Sequence, residues 1–180
     1  MKNLREFSIP YVGLKLGVHK FEFDIDKNFF SHFEDSPITD CKAKVKLDFE
    51  KEETFFTLKF FIDGIVNVPC DRCLEAFDKE IFGDFQCLVK FSDELAEGEN
   101  DNDELIYIKR EDSHIDVAQL IYEYLILCLP IQNFGCKEPG KDPRCNQTVL
   151  AHLANVGEAR ESEEPDPRWS ELTKLKFNKN

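Results

Sequence analysis

Residues 41–50, CKAKVKLDFE, put Ala43, Val45, Leu47 and Phe49 at every second position, with Lys42, Lys44, Lys46 and Asp48 between them. Side chains of a strand point alternately to opposite faces, so this stretch predicts a β-strand with one dry and one wet face. The charged run Glu50 to Glu53 predicts a hairpin turn. Thr54 to Val68 then returns as a second strand, with Phe56, Leu58, Phe60 and Ile62 on one side. Gly64 interrupts it, and a bulge or bend is expected there. Phe77 to Phe91 repeats the pattern through Ile81, Phe85, Cys87, Val89 and Phe91. Three long consecutive strands form an antiparallel meander, and strands of this length curl into an open, barrel-like sheet.

Upstream, His19 to Asp26 alternates through Phe21, Phe23 and Ile25, and Phe29, Phe30 and Phe33 fall at the spacing of a short helix over 27–33. Downstream, Ser92 to Glu104 holds seven acidic residues and no basic one and reads as an acidic loop. Leu105 to Ile108 is a short strand. A helix over 114–129 is expected next, capped by Ser113, with Val117, Leu120, Ile121, Tyr124, Leu125 and Cys128 on one face and Pro130 as its stop. The predicted class is α+β, a curled meander covered by one main helix. Residues 1–133 form the β-rich core with that helix. Residues 134–180 supply a cysteine-containing loop and a C-terminal tail of the same structural domain. In the tail a helical turn is expected at Val149 to Leu153 and an extended acidic segment at Ala159 to Pro165.

Lys and Arg number 23 against 36 Asp and Glu, a net charge of −13. That balance disfavours non-specific attraction of the whole chain to a phosphate backbone and favours basic partners. The start, MKNLREFSIPYVGLKL, has no apolar signal-peptide core, and no stretch approaches the roughly 20 apolar residues of a membrane span, so the expected location is cytoplasmic.

Seven cysteines stand at 41, 70, 73, 87, 128, 136 and 145. In a reducing compartment they read as thiols or metal ligands. Cys70 and Cys73, in PCDRCLEAF between two strands, are spaced to grip one zinc ion from a tight turn. Cys136 and Cys145 are the second pair a tetrahedral site would need. Two other readings stay open: a turn whose thiols merely pack, and a redox pair, although a redox CxxC usually opens a helix. Cys41, Cys87 and Cys128 fall on or near apolar faces and read as core. The four histidines lie far apart in sequence, and no nucleotide-binding or metalloprotease motif occurs, so no catalytic residue is expected.

Two surfaces stand out as binding candidates. The Lys42, Lys44 and Lys46 row, extended by Arg72, Lys79 and Lys90 and with Phe82 nearby, could contact RNA; an ordinary solvated strand face fits the same pattern. In DPRWSELTKL (166–175), Asp166 can cap a short helix carrying Trp169, Leu172 and Leu175 in one stripe. That stripe either docks on its own domain or, with Arg168 and Trp169 as anchors, on a partner.

Taken in order, the strand ending in PCDRCLEAF, the charged gap, the helix ending in CLPI, the cysteine-containing loop and the terminal DPRWSELTKL resemble the YceD family of large ribosomal RNA subunit accumulation proteins. The resemblance spans roughly residues 40–176. It matches Cys70 and Cys73 to the family's first cysteine pair, Cys136 and Cys145 to two cysteines of its later loop, and Asp166, Pro167, Arg168 and Leu172 to its tail. Asp142 stands near where a further cysteine is expected, and the cysteines that usually precede the DPR segment are missing here. The resemblance implies a non-enzymatic ribosome-biogenesis factor for accumulation or processing of large-subunit (23S) ribosomal RNA. Its partner would be a ribosomal protein or large-subunit assembly intermediate, with zinc as the candidate cofactor and no membrane or small-molecule substrate. Direct RNA binding and CxxC thiol oxidoreduction are the alternatives.

Overall fold

The computed structural model describes residues 4–34, 36–92, 105–136, 142 and 144–161. Strands β1 (Ser8–Ile9), β2 (Gly17–Asp26), β3 (Asp40–Lys51), β4 (Phe55–Pro69), β5 (Ala76–Phe91), β6 (Leu105–Ile108) and β7 (Ile115–Asp116) are joined by helices α1 (Lys27–Phe30), α2 (Ala118–Leu127) and α3 (Gln147–Glu161). The main sheet has the order β2-β3-β4-β5-β6. Its first four strands form the expected antiparallel meander, and β6 adds parallel to the end of β5. The class is α+β, but the sheet stays open and does not close into a barrel. A second sheet, not foreseen, pairs β1 with β7 (Ser8 with Asp116, Ile9 with Ile115) and ties the N-terminus to the segment before α2.

The alternation in CKAKVKLDFE translates directly into burial. Val45, Leu47 and Phe49 are fully buried, as are Phe56, Leu58 and Phe60 of the facing strand, while Lys42, Lys44 and Lys46 are exposed. Burial of each such side chain contributes about 1.5–3 kcal/mol. α2 lies on this dry face through Ile121, Tyr124 and Leu125, and Tyr124 stacks on Phe85 with ring centroids 4.5 Å apart. Gly83 allows the end of α2 to approach β5: a Cβ there would stand 2.7 Å from Cys128 Sγ. Phe7, Phe23, Phe29 and Phe30 continue the core toward α1, and Tyr11 packs between Phe56 and Phe91.

Several expectations need correction. No bulge forms at Gly64; it pairs in unbroken register with Ala43 and Ile81. Its role is close approach, since a Cβ would lie 2.4 Å from the Ala43 backbone. The helix expected from 114 begins at Ala118 because Ile115 and Asp116 pair with β1, and the Asp116 carboxylate, not Ser113, accepts the Ala118 N–H at 2.9 Å. α2 is not the longest helix. The single turn expected near 149–153 is a helix of 15 residues that runs on through Ala159 to Glu161, where an extended chain was expected. The acidic run 93–104 and the DPR tail, with Arg168 and Trp169, lie outside the described residues.

Candidate metal centre

β4 ends at Pro69, and the chain then makes a knuckle. The Leu74 N–H donates to the Cys70 carbonyl and the Cys70 N–H to the Glu75 carbonyl, both at 2.9 Å. Leu74 adopts a left-handed backbone (φ 60°), which few non-glycine residues do, and this reverses the chain so that Cys73 returns toward Cys70. Asp71 ties the knuckle to the segment after α2: its N–H donates to the Asn133 carbonyl at 2.8 Å, and its carboxylate accepts the Asn133 N–H at 2.6 Å. Arg72 lies over the Phe134 ring at 4.1 Å, a cation–π contact across the same junction. Gly135 passes over Phe77 so closely that a Cβ would sit 2.7 Å from the ring. These contacts deliver Cys136 to the knuckle.

Cys70, Cys73 and Cys136 are buried, and their sulfurs all lie within 4.8 Å of one another, with Cys70 and Cys136 3.9 Å apart. Cys145, also buried, lies beside Cys136 but outside the group of three mutually close sulfurs, and Phe77 and Leu150 pack against the four cysteines. A short turn places it: Asp142 accepts from the Arg144 guanidinium at 2.7 and 3.0 Å, and its carbonyl accepts the Cys145 N–H at 3.0 Å. Thus Asp142, at the position where a further cysteine was expected, organises the turn through Arg144. Asn146 then caps α3, its side-chain oxygen accepting the Val149 N–H at 3.3 Å.

Cys70, Cys73 and Cys136 are placed to share one metal ion such as zinc, with Cys145 as the neighbouring candidate for a fourth ligand. Four sulfurs at about 2.3 Å from a tetrahedral zinc lie about 3.8 Å from each other, close to the Cys70–Cys136 separation. The electrostatics point the same way. Burial pushes the Cys70 thiol up, but the N–H groups of Arg72, Cys73 and Gly135 and the Cys73 side chain outweigh it and bring it down to about 6. Cys136 is held up at about 11 by burial and by the neighbouring Cys145 and Cys70 sulfurs. Proteins without a cation here cannot hold all four sulfurs as thiolates, whereas a dication reverses that repulsion. The core cysteines behave differently: burial raises Cys41 to about 12 and Cys87 and Cys128 to about 11.

A family model described as "Large ribosomal RNA subunit accumulation protein YceD" matches residues 58–176. The chain belongs to the YceD family. The matched segment begins inside β4 and contains all four cysteines of the corner. Neither a curated protein nor a solved structure matches the chain. The description ties the YceD family to accumulation of the large ribosomal RNA subunit, the role the sequence resemblance implied.

The other predicted site residues fall elsewhere. Lys42, Lys44 and Lys46 do share the open face of the sheet, upstream of the YceD match. The register sets them opposite Asp26, Asp24 and Glu22 of β2, and Lys44 forms an ion pair with Asp24 at 3.7 Å. Lys79 does not extend this row: it alternates with the outward β5 residues and lines the groove beside the cysteines. Arg72 belongs to the cysteine corner. That groove, of about 720 Å³, runs from the thiols along Glu75 to Glu80 and is walled by Phe134 and Arg144. None of the four histidines lines it. Sequence reasoning missed Gly135, Asn133 and the Asp142–Arg144 pair. A glycine next to a candidate ligand was the one available signal.

Proposed function

We propose that this YceD-family protein is a non-enzymatic factor of large-subunit assembly. An acidic β-sheet platform, stapled at one corner by zinc on Cys70, Cys73, Cys136 and Cys145, holds a basic ribosomal protein or an assembly intermediate, and mature large-subunit ribosomal RNA accumulates as a result. The convergence of four buried thiols from two separate segments, inside the part of the chain that matches the family, is the observation that carries this reading. Zinc here supplies rigidity: it fixes Cys136 and Cys145 against the end of β4 and so shapes the neighbouring groove. With Cys145 as the fourth ligand the shell would be closed, leaving no open coordination position for a substrate.

Deleting the gene should lower mature large-subunit ribosomal RNA. The wild-type gene should restore it, and one encoding Cys70→Ser with Cys136→Ser should not. Normal subunit profiles in the deletion strain would refute the proposal. Direct RNA binding through Lys42, Lys44 and Lys46 is less favoured, because carboxylates in register with the row offset its charge; retention of RNA at low salt, lost when the three become Glu, would reinstate it. For thiol oxidoreduction, turnover of a disulfide substrate that is lost in Cys73→Ser would be decisive.

A further inference from the structure

Among the described residues the main sheet has a long open side. β6 pairs only with Leu88 to Phe91. Between Ala76 and Cys87, β5 has β4 on one flank and, among the described residues, no main-chain partner on the other. At about 3.3 Å per residue this is an edge of about 40 Å. Exposed edges are usually blunted by proline, by a bulge or by lysines. Residues 76–87 contain no proline, their pairing with β4 runs without a bulge, and their single lysine, Lys79, alternates with the outward positions and lines the groove.

The charges of this edge have one dominant sign. The outward positions of β5 read Ala76, Asp78, Glu80, Phe82, Asp84 and Gln86. Across the register, β4 adds Phe61, Asp63 and Ile65 to the same surface, with Asp63 standing opposite Lys44 of β3. Among the described residues, Asp63, Glu80 and Asp84 take part in no salt bridge, and Phe82 is 82 % exposed. The β2–β3 half of the face differs, since its lysines are matched by acids in register. Beside the acidic half runs the 720 Å³ groove, with Phe134 on its far wall.

We propose that the open edge of β5 takes up an extended, basic segment of a partner protein as an added strand. Strand addition satisfies the free main-chain groups, and alternate side chains reach the two faces. On the outer face, lysines or arginines of the segment meet Asp78, Glu80 and Asp84, and its apolar residues cover Phe82. On the other face it enters the groove. A second copy of this chain is a poor occupant, because it would bring the same carboxylates edge to edge. The inference deepens the partner-holding reading and rests on it for the partner's membership of the nascent large subunit.

The test uses full-length protein and three synthetic decapeptides: alternating Lys and Val, the same peptide N-methylated at alternate residues, and alternating Glu and Val. Amide hydrogen exchange is followed along the chain. The Lys/Val peptide should slow exchange within 76–87 at least ten-fold and leave β2, the other sheet edge, unchanged. The N-methylated copy carries the same charge but cannot form a ladder, and it should give no protection; the Glu/Val copy should give none. Asp78→Lys, Glu80→Lys and Asp84→Lys together should abolish the effect, with Phe82→Lys as a milder variant should the triple change unfold the sheet. Equal protection by the N-methylated peptide, or none by any, overturns the proposal. So does protection by single-stranded RNA in place of peptide. Protection already present in the free protein and relieved by Trp169→Ala would assign the edge to the chain's own C-terminal segment, and would likewise overturn it. Large-subunit RNA accumulation in the deletion strain is read separately, so failure of strand addition and failure of the biogenesis role are distinguishable.

Discussion

The two ends of the long β4–β5 hairpin carry cysteines that sit in opposite environments. At the core end, Cys87 is surrounded by Leu58, Val89 and Tyr124, and its proton is held up to about 11 by burial. At the far end, Cys70 is as thoroughly buried, yet three main-chain N–H groups point at its sulfur and bring it to about 6. Burial alone therefore does not decide what a cysteine does. The difference lies in what surrounds the sulfur: apolar packing with one side-chain hydrogen bond, to Tyr124, in one place, and several backbone N–H groups and other thiols in the other. The first environment stabilises a neutral thiol, and the second favours the Cys70 thiolate.

This contrast can be broken by substitution. Cys136→Ser should remove the metal and free the 130–145 segment from the knuckle, abolishing complementation of the deletion strain; zinc analysis and rescue assays check it. Phe60→Ala, in the middle of the dry face, should leave metal binding intact and lower stability by about 3–5 kcal/mol, read from urea unfolding. Gly135→Val should act on the corner and spare the sheet. The Phe77 ring must move to admit the side chain, at a cost of about 1–3 kcal/mol, and the loss should appear as weaker zinc retention against a chelator. Cys87→Ala should cost only about 1 kcal/mol, with unchanged zinc content.

A pH titration sharpens the same comparison. Cys41, Cys87 and Cys128 have folded values raised above an ordinary thiol near 9. Their contribution to stability is fully present below about 9 and is lost as pH rises toward 11–12. Cys70 is shifted the other way. Without metal its contribution is present above about 9 and is lost as pH falls through about 6. Alkylation of metal-free protein at pH 7, followed by peptide mapping, should therefore label Cys70 first and the buried Cys41 and Cys87 only on unfolding.

The sheet was legible because CKAKVKLDFE alternates without a break and its two partners alternate over most of their length, and a two-residue period has one meaning when one face is buried. The cysteine corner was partly legible, since CxxC between two strands signals a knuckle wherever it occurs. The long gap between Cys136 and Cys145 gave no such signal; it is closed by the Asp142–Arg144 turn and the Asn146 cap. Gly64 was misread because a sequence does not separate a bulge from a close approach. The length of α3 was missed because its apolar residues cluster in its first half, leaving little periodicity beyond Leu153. The lysine row looked basic because β3 was read alone; only the pairing with β2 brings the acids opposite.

No helix among the described residues is long and apolar enough to cross a membrane. The account stands on the cysteine corner as a metal-stapled joint, and metal content with thiol accessibility tests it most directly. Protein purified under reducing conditions should contain one zinc per chain, with Cys70, Cys73, Cys136 and Cys145 shielded from a thiol reagent until a chelator exposes them together. Metal-free protein from zinc-sufficient cells, with those four thiols reacting independently from the start, would contradict it.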